Sequence, residues 1–298
     1  SNVKKKSKIS IFYEKSKLAG HGHFIRSERL NEFLKKSGHN TEIYCNKNST
    51  QINRVIKQKQ KKFFLVIDYK NYKKIYIKKN PKIIKTIVLE NLKKKFFFKA
   101  INVYPLDIQF KGKSGPSYFQ YPLNFYKIKK RRKAKKNKIT NILLIQGGTD
   151  ANNNLNKIIS SFSKSKIIFN YRLIVKTNKK SLVNTKYFKD KKIKIIGPVK
   201  KIDKIYNITD IAISACGNAA FELGYLGIPT IHVTTEKREI KRAKLFEKKK
   251  LGVLCSPNNN KKIVNEVNKI YYDFRYRKFL IKRRIQFFRK KNLLIDFF

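Results

Sequence analysis

The chain has 298 residues, enough for two ordinary domains, and its 41% hydrophobic content with 22 Phe and 16 Tyr excludes a disordered polymer despite a formal net charge of +55. The three cysteines, Cys45, Cys216 and Cys255, are odd in number and far apart, which excludes a disulfide framework and a CxxC metal site. No apolar run approaches the roughly 18–20 residues that span a bilayer, so a soluble or peripheral protein of a reducing, cytoplasmic compartment is expected.

Residues 8–13 (KISIFY) predict a strand, and a polar loop runs from it to Gly22. A helix is predicted from about Phe24 to Ser37, with Leu30, Phe33 and Leu34 on one face and Gly38 at its C-cap position. TEIYC follows as a strand, and more apolar strands are predicted at Phe63–Asp68 (FFLVID) and Thr86–Glu90 (TIVLE), each after a lysine-rich polar stretch. Such short continuous apolar runs suit a parallel sheet buried on both faces. The run KIKKRRKAKKNK at 127–138 has almost no apolar content and reads as a solvated basic linker. It separates an N-terminal Rossmann-like domain, residues 1–126, from a C-terminal one, residues 139–298. The second half repeats the alternation. NILLI at 141–145 leads to a Gly147-Gly148 turn and a helix near 153–163, then come the strands YRLIVKT and KIKIIG and a short helix. A strand in DIAISAC, a helix from about Asn218 to Leu226 closed by Gly227, and the strand Pro229–Val233 (PTIHV) complete the pattern. Residues 262–298 are helical in pattern and very basic, suited to packing on the body or touching membrane. The fold class is α/β, with two doubly wound parallel-sheet domains.

Lysine and arginine in this number are the usual footprint of a nucleic-acid binder. Lys, Ile, Asn, Phe and Tyr are abundant together, however, while Gly and Pro number only 12 and 7. A/T-rich codons leave that pattern on tolerant surface positions, and no RNA-binding module is recognisable, so nucleic acid is not expected as a partner. The positive field would still concentrate an anionic substrate and allow peripheral contact with an acidic membrane.

Ligands of open parallel sheets bind beyond the carboxyl ends of the strands, and two loops with suitable residues lie there. In GHGHFIR, Gly20 and Gly22 let the backbone approach a ligand closely, and His23 at the helix start offers an imidazole able to take a proton near neutral pH, with Arg26 beside it. His21 reads as incidental, His39 as a turn residue and His232 as a core histidine in a strand. In SACGNAAFELG, the residues Cys216, Gly217, Asn218 and Ala219 place free N–H groups at a helix N-terminus, suited to a pyrophosphate. Gly147, Gly148 and Thr149 would add a further backbone wall. Glu222, one turn on, either accepts hydrogen bonds from ribose hydroxyls or simply complements the helix dipole. Cys216 is disfavoured as a nucleophile because no histidine is near it in sequence.

Taken in order, GHGHFIR, VIDY at 66–69, GPSYFQYPLNF at 115–125, IQGGTD at 145–150 and ISACGNAAFELGYLGIP at 213–229 resemble the UDP-sugar hydrolases of the pseudaminic acid pathway. The resemblance extends to spore-coat polysaccharide glycosyltransferase-like proteins and, more distantly, to the glycosyltransferase that makes lipid II, and it covers most of the chain. It implies a GT-B fold whose two domains face a cleft, with UDP held mainly by the C-terminal domain and with no metal or other cofactor. The implied substrate is a UDP-linked acetamido sugar, and a monomer is expected. His23 inherits the role of the base that activates water for inverting attack at the anomeric carbon. Asp68 and Tyr69 match the family's Asp-His-Tyr region with the His missing, and are expected to face the sugar together with Tyr118. Glu90-Asn91 stands where an Asp-Asp pair is usual, and Arg238-Glu239 where Asn-Gln is usual. Both places are expected to line the cleft, Glu239 on the UDP side, which points to a different sugar. A glycosyltransferase with a hydroxyl acceptor is the alternative to hydrolysis, and an exposed apolar patch at the N-terminal lip, with Phe96-Phe97-Phe98 as candidate, would distinguish it. His23 and Glu222 are expected on opposite walls of one groove.

Overall fold

KISIFY is apolar on both faces because it becomes a central strand of a parallel sheet. In the computed structural model, residues 7–14, 22–45, 48–69, 76–90, 100–109, 112–127, 141–146, 150, 152–164, 171–199, 201–234 and 236–298 are described. Gly20, His21, Asn91, Phe96-Phe97-Phe98, Gly147-Gly148-Thr149 and the linker beyond Lys127 lie outside them. The chain divides into two units, one of Ser1–Lys127 with Lys291–Phe298 and one of Ile128–Lys290.

The first unit holds β1 (Lys8–Tyr13), β2 (Asn40–Cys45), β3 (Phe63–Asp68), β4 (Ile83–Leu89) and β5 (Ala100–Val103), all parallel, in the order β2-β1-β3-β4-β5. Helix α1 (Gly22–Lys36) covers one face, where Leu30 and Leu34 join Ile9, Ile11, Val66 and Ile87. Helix α2 (Ser49–Gln58) serves the other through Ile52 and Ile56, one turn apart and packed with Phe12, Leu65 and Ile67. The lysine-rich polar stretch before FFLVID, for which the sequence predicts no element, contains this helix. Its N-terminus is capped by Asn48, whose side chain accepts from the Gln51 N–H at 3.0 Å.

Residues 291–298 were expected with the C-terminal domain but pack on this first unit. Leu294 enters its core with zero exposure, the Leu293 N–H donates to the Ser117 carbonyl at 2.7 Å, and Phe298 packs on Phe64.

The second unit holds β6 (Asn141–Ile145), β7 (Arg172–Lys176), β8 (Ile193–Ile196), β9 (Ile211–Ser214), β10 (Thr230–Val233) and β11 (Val253–Cys255), parallel, in the order β11-β10-β9-β6-β7-β8. Its helices are α3 (Asn154–Lys164), α4 (Asp203–Ile208), α5 (Asn218–Tyr225), α6 (Lys237–Lys248), α7 (Asn260–Tyr272) and α8 (Phe274–Phe288). The basic helix α8 is not simply a solvated face. Arg284 is wholly buried and donates to the Ala220 and Leu251 carbonyls, and Arg277 donates to the Ile270 and Tyr271 carbonyls, so two guanidinium groups tie α8 to its neighbours. Gly224 of α5 is needed for this packing, since a Cβ there would lie 2.3 Å from the Phe288 ring. Each sheet reverses its strand order once, between β1 and β3 and between β6 and β9. Those two switch points are where a ligand is expected.

Candidate active site

At the first switch point β1 and β3 run in register, with Tyr13 opposite Asp68, and the Glu14 N–H donates to the Asp68 carbonyl at 3.1 Å. The Asp68 side chain is completely buried. His23, in the first turn of α1, brings Nδ1 to 2.6 Å from Asp68 Oδ1. Arg26, one turn later on the same helix, donates from Nε to Oδ2 at 2.7 Å and from Nη2 to Oδ1 at 2.5 Å, a forked geometry that fits a carboxylate. Burial alone would raise the Asp68 pKa, but the charges of Arg26 and His23 and their hydrogen bonds outweigh it and bring it down to about 2. An ionised carboxylate only accepts, so the nitrogen facing it, Nδ1, carries the hydrogen. The lone pair is then on Nε2, and Asp68 sets the tautomer of His23 from behind.

This arrangement corrects two expectations. Asp68 and Arg26 are not sugar-facing groups, because both are buried and committed to each other and to His23. Tyr69 is buried in the core on the α2 side, and burial pushes its phenol well above the usual range. Tyr118 is stacked on Phe297 of the C-terminal tail, ring centroids 6.1 Å apart. Gly22 is the first residue of α1, directly before His23. Phe24 and Ile25, which follow His23, are each 37% exposed. Glu90, at the end of β4, has φ of 61°, unusual for a residue with a side chain, and its Oε1 accepts from the Leu106 N–H at 2.6 Å.

At the second switch point β6 and β9 pair with Ile145 opposite Ser214, and the chain turns through Ala215, Cys216 and Gly217 into α5. Gly217, Asn218 and Ala219 are half-buried while the remainder of α5 is in the core. Cys216 has no exposed surface, and burial pushes its thiol up to about 12, which removes it as a nucleophile and leaves only its backbone for a ligand. Its carbonyl accepts from Arg242 of α6. Glu222, expected to meet ribose hydroxyls from a groove wall, is instead buried among the core residues of α5, where its Oε2 accepts from the Tyr206 hydroxyl at 2.8 Å. Glu239, in the first turn of α6, accepts from the Thr234 hydroxyl at 2.5 Å and from the Cys216 N–H. Asp150 holds the start of α3, accepting from the Asn154 and Leu155 N–H groups at 2.9 and 3.0 Å.

Comparison with solved structures decides the architecture. Spinosyn rhamnosyltransferase SpnG with thymidine diphosphate aligns over 94% of this chain and 95% of its own, with TM-score 0.65 and 9% identity. The MurG of Acinetobacter baumannii aligns over 96% of each chain, with TM-score 0.57 and 12% identity. The fold is GT-B. A UDP complex of S. aureus MnaA shares it, with TM-score 0.60 and 9% identity over 97% of this chain and 94% of that one. Within this GT-B chain, residues 142–288 match the glycosyltransferase family 28 C-terminal domain, which makes the second unit glycosyltransferase-like in sequence as well. The uncharacterized protein MJ1062 of Methanocaldococcus jannaschii is 32% identical over 124 residues, 39% of this chain and 26% of that protein. The match therefore spans about a quarter of that relative's length.

What the sequence did not reveal is the linkage between these residues. Asp68 is 42 positions from Arg26, and only the β1–β3 pairing brings them together. The approach of Glu239 to Cys216 likewise depends on the β9–β10 pairing, although the Thr-Thr-Glu run before α6 marks a polar turn at the carboxyl end of a strand.

Proposed function

We propose that this chain transfers a glycosyl group from a UDP-linked acetamido sugar, with inversion at the anomeric carbon. The observation that carries the proposal is the 2.6 Å approach of His23 Nδ1 to a buried, ionised Asp68. Nε2 of His23 takes the proton of the acceptor hydroxyl as its oxygen bonds to the anomeric carbon, and the bond from that carbon to the UDP oxygen breaks. Asp68 stabilises the imidazolium that results. N–H groups at the start of α5, with the positive end of that helix, suit the departing pyrophosphate. Similarity of residues 142–288 to a glycosyltransferase domain supports that division of labour. Phe24 and Ile25 favour an acceptor with an apolar part, because they expose hydrophobic surface in the same helical turn as His23.

Water is a second acceptor, favoured by the ordered likeness of GHGHFIR, VIDY and IQGGTD to the UDP-sugar hydrolases. UDP release from a panel of UDP-linked acetamido sugars, with and without hydroxyl acceptors, separates the two. Release that needs an acceptor and falls about 10²–10⁴-fold in His23→Ala is the expected result. Equal release without acceptor identifies water instead, and release unchanged in His23→Ala would remove His23 as the base.

A further inference from the structure

The carboxylate of Glu239 stands where the proposed function needs a phosphate. It accepts from the Cys216 N–H, and Oε1 lies so close over Gly217 that a Cβ built there would meet it at 2.9 Å. The Thr234 hydroxyl holds Oε2 at 2.5 Å. The contacts therefore bring an internal anion onto the half-buried start of α5, from a separate helix. Resting on the reading that this place takes the pyrophosphate of a nucleotide sugar, we propose that Glu239 is a displaceable internal anion, and that a nucleotide binds there only by turning this carboxylate out or meeting it protonated. A phosphate oxygen and a carboxylate oxygen compete for the single Cys216 N–H, and two negative charges about 4 Å apart repel strongly in a site of reduced polarity.

The charge on Glu239 is itself adjustable. Burial raises its pKa, while the Thr234 hydroxyl, the Arg242 charge and the Cys216 N–H act in the opposite sense and neighbouring Glu236 adds to the rise. The net direction is upward, so the carboxylate becomes anionic at a higher pH than an ordinary glutamate. The Cys216 thiol facing it is neutral across this range. Nucleotide affinity then falls as pH rises through the raised value.

Isothermal titration of the intact chain with UDP-N-acetylglucosamine, whose diester phosphates do not titrate between roughly pH 5 and pH 8, tests this. Glu239→Gln is expected to bind about five-fold or more tightly than wild type at the upper end, with a flat pH profile. Thr234→Val, which loosens Oε2 but keeps the charge, is expected to tighten binding less and to retain the slope. Affinity and slope unchanged in Glu239→Gln would overturn the proposal, as would unchanged affinity in Thr234→Val if the glutamine variant fails to fold. Absence of binding in every protein at every pH would overturn the nucleotide reading, and this inference with it.

Discussion

Two carboxylates, fully buried Asp68 in the first unit and half-buried Glu239 in the second, stand at corresponding switch points of their sheets and are treated in opposite ways. Asp68 meets a guanidinium on both oxygens and an imidazole on one, so its charge is compensated and its pKa is held at about 2. Glu239 meets a hydroxyl and a backbone N–H, with Arg242 acting as a charge nearby, and burial wins. Burial acts upward on both pKa values, and the donors decide the outcome. A carboxylate fixed in its charge suits a permanent support for His23. One whose charge can be changed suits a group that must make way.

Asp68→Asn breaks the comparison most severely. The amide can donate to His23 Nδ1, which favours the wrong tautomer, and kcat in the UDP-release assay should fall about 10³-fold or more. The same change leaves the buried Arg26 without its carboxylate, and denaturant unfolding should show a loss of about 3–5 kcal/mol. A variant that turns over normally would show that Asp68 does not set the histidine.

The next largest effect separates the two groups by pH. Folding lowers the proton affinity of Asp68, so its contribution of about 2 kcal/mol is complete above roughly pH 4 and is lost as pH falls towards 2. Folding raises the proton affinity of Glu239, so stability attributable to it increases as pH falls through its raised pKa and decreases as pH rises. Denaturant unfolding across pH should lose the first dependence in Asp68→Asn and the second in Glu239→Gln. Limbs of the same sign for both residues would contradict the contrast drawn between them.

Gly217→Ala sharpens the comparison with the smallest effect. Its φ of −96° is open to any residue, and the added methyl meets only the far end of the Glu239 side chain. Stability should change by less than about 1 kcal/mol, while the pH dependence assigned to Glu239 shifts because its carboxylate is pushed from the Cys216 N–H. A large loss of stability would mean that Glu239 cannot move.

The central strands were legible because parallel β-strands buried on both faces need uninterrupted apolar runs, and KISIFY, FFLVID, NILLI and the strand before Cys216 supply them. His23 was legible from its place between a glycine and a helix. Helix α2 was hidden because only Ile52 and Ile56 mark its buried stripe amid polar residues. The pairing of Asp68 with Arg26 was not legible, since a strand-end aspartate looks the same in sequence whether it faces a substrate or a buried arginine. Nothing in TTEKRE says that the Glu239 carboxylate reaches back to the turn before α5.

The return of residues 291–298 to the first unit has a bearing on the order in which the molecule can be assembled. Leu294 completes a core whose other members lie between Ile9 and Val103, so on the ribosome that core waits for a residue made after the entire second unit. A fragment cut at the basic linker would expose the seat of Leu294 and the Phe64 ring. The two units are thus separate in their sheets but not in their biogenesis, and a loop spanning the whole second unit must close before the first is finished.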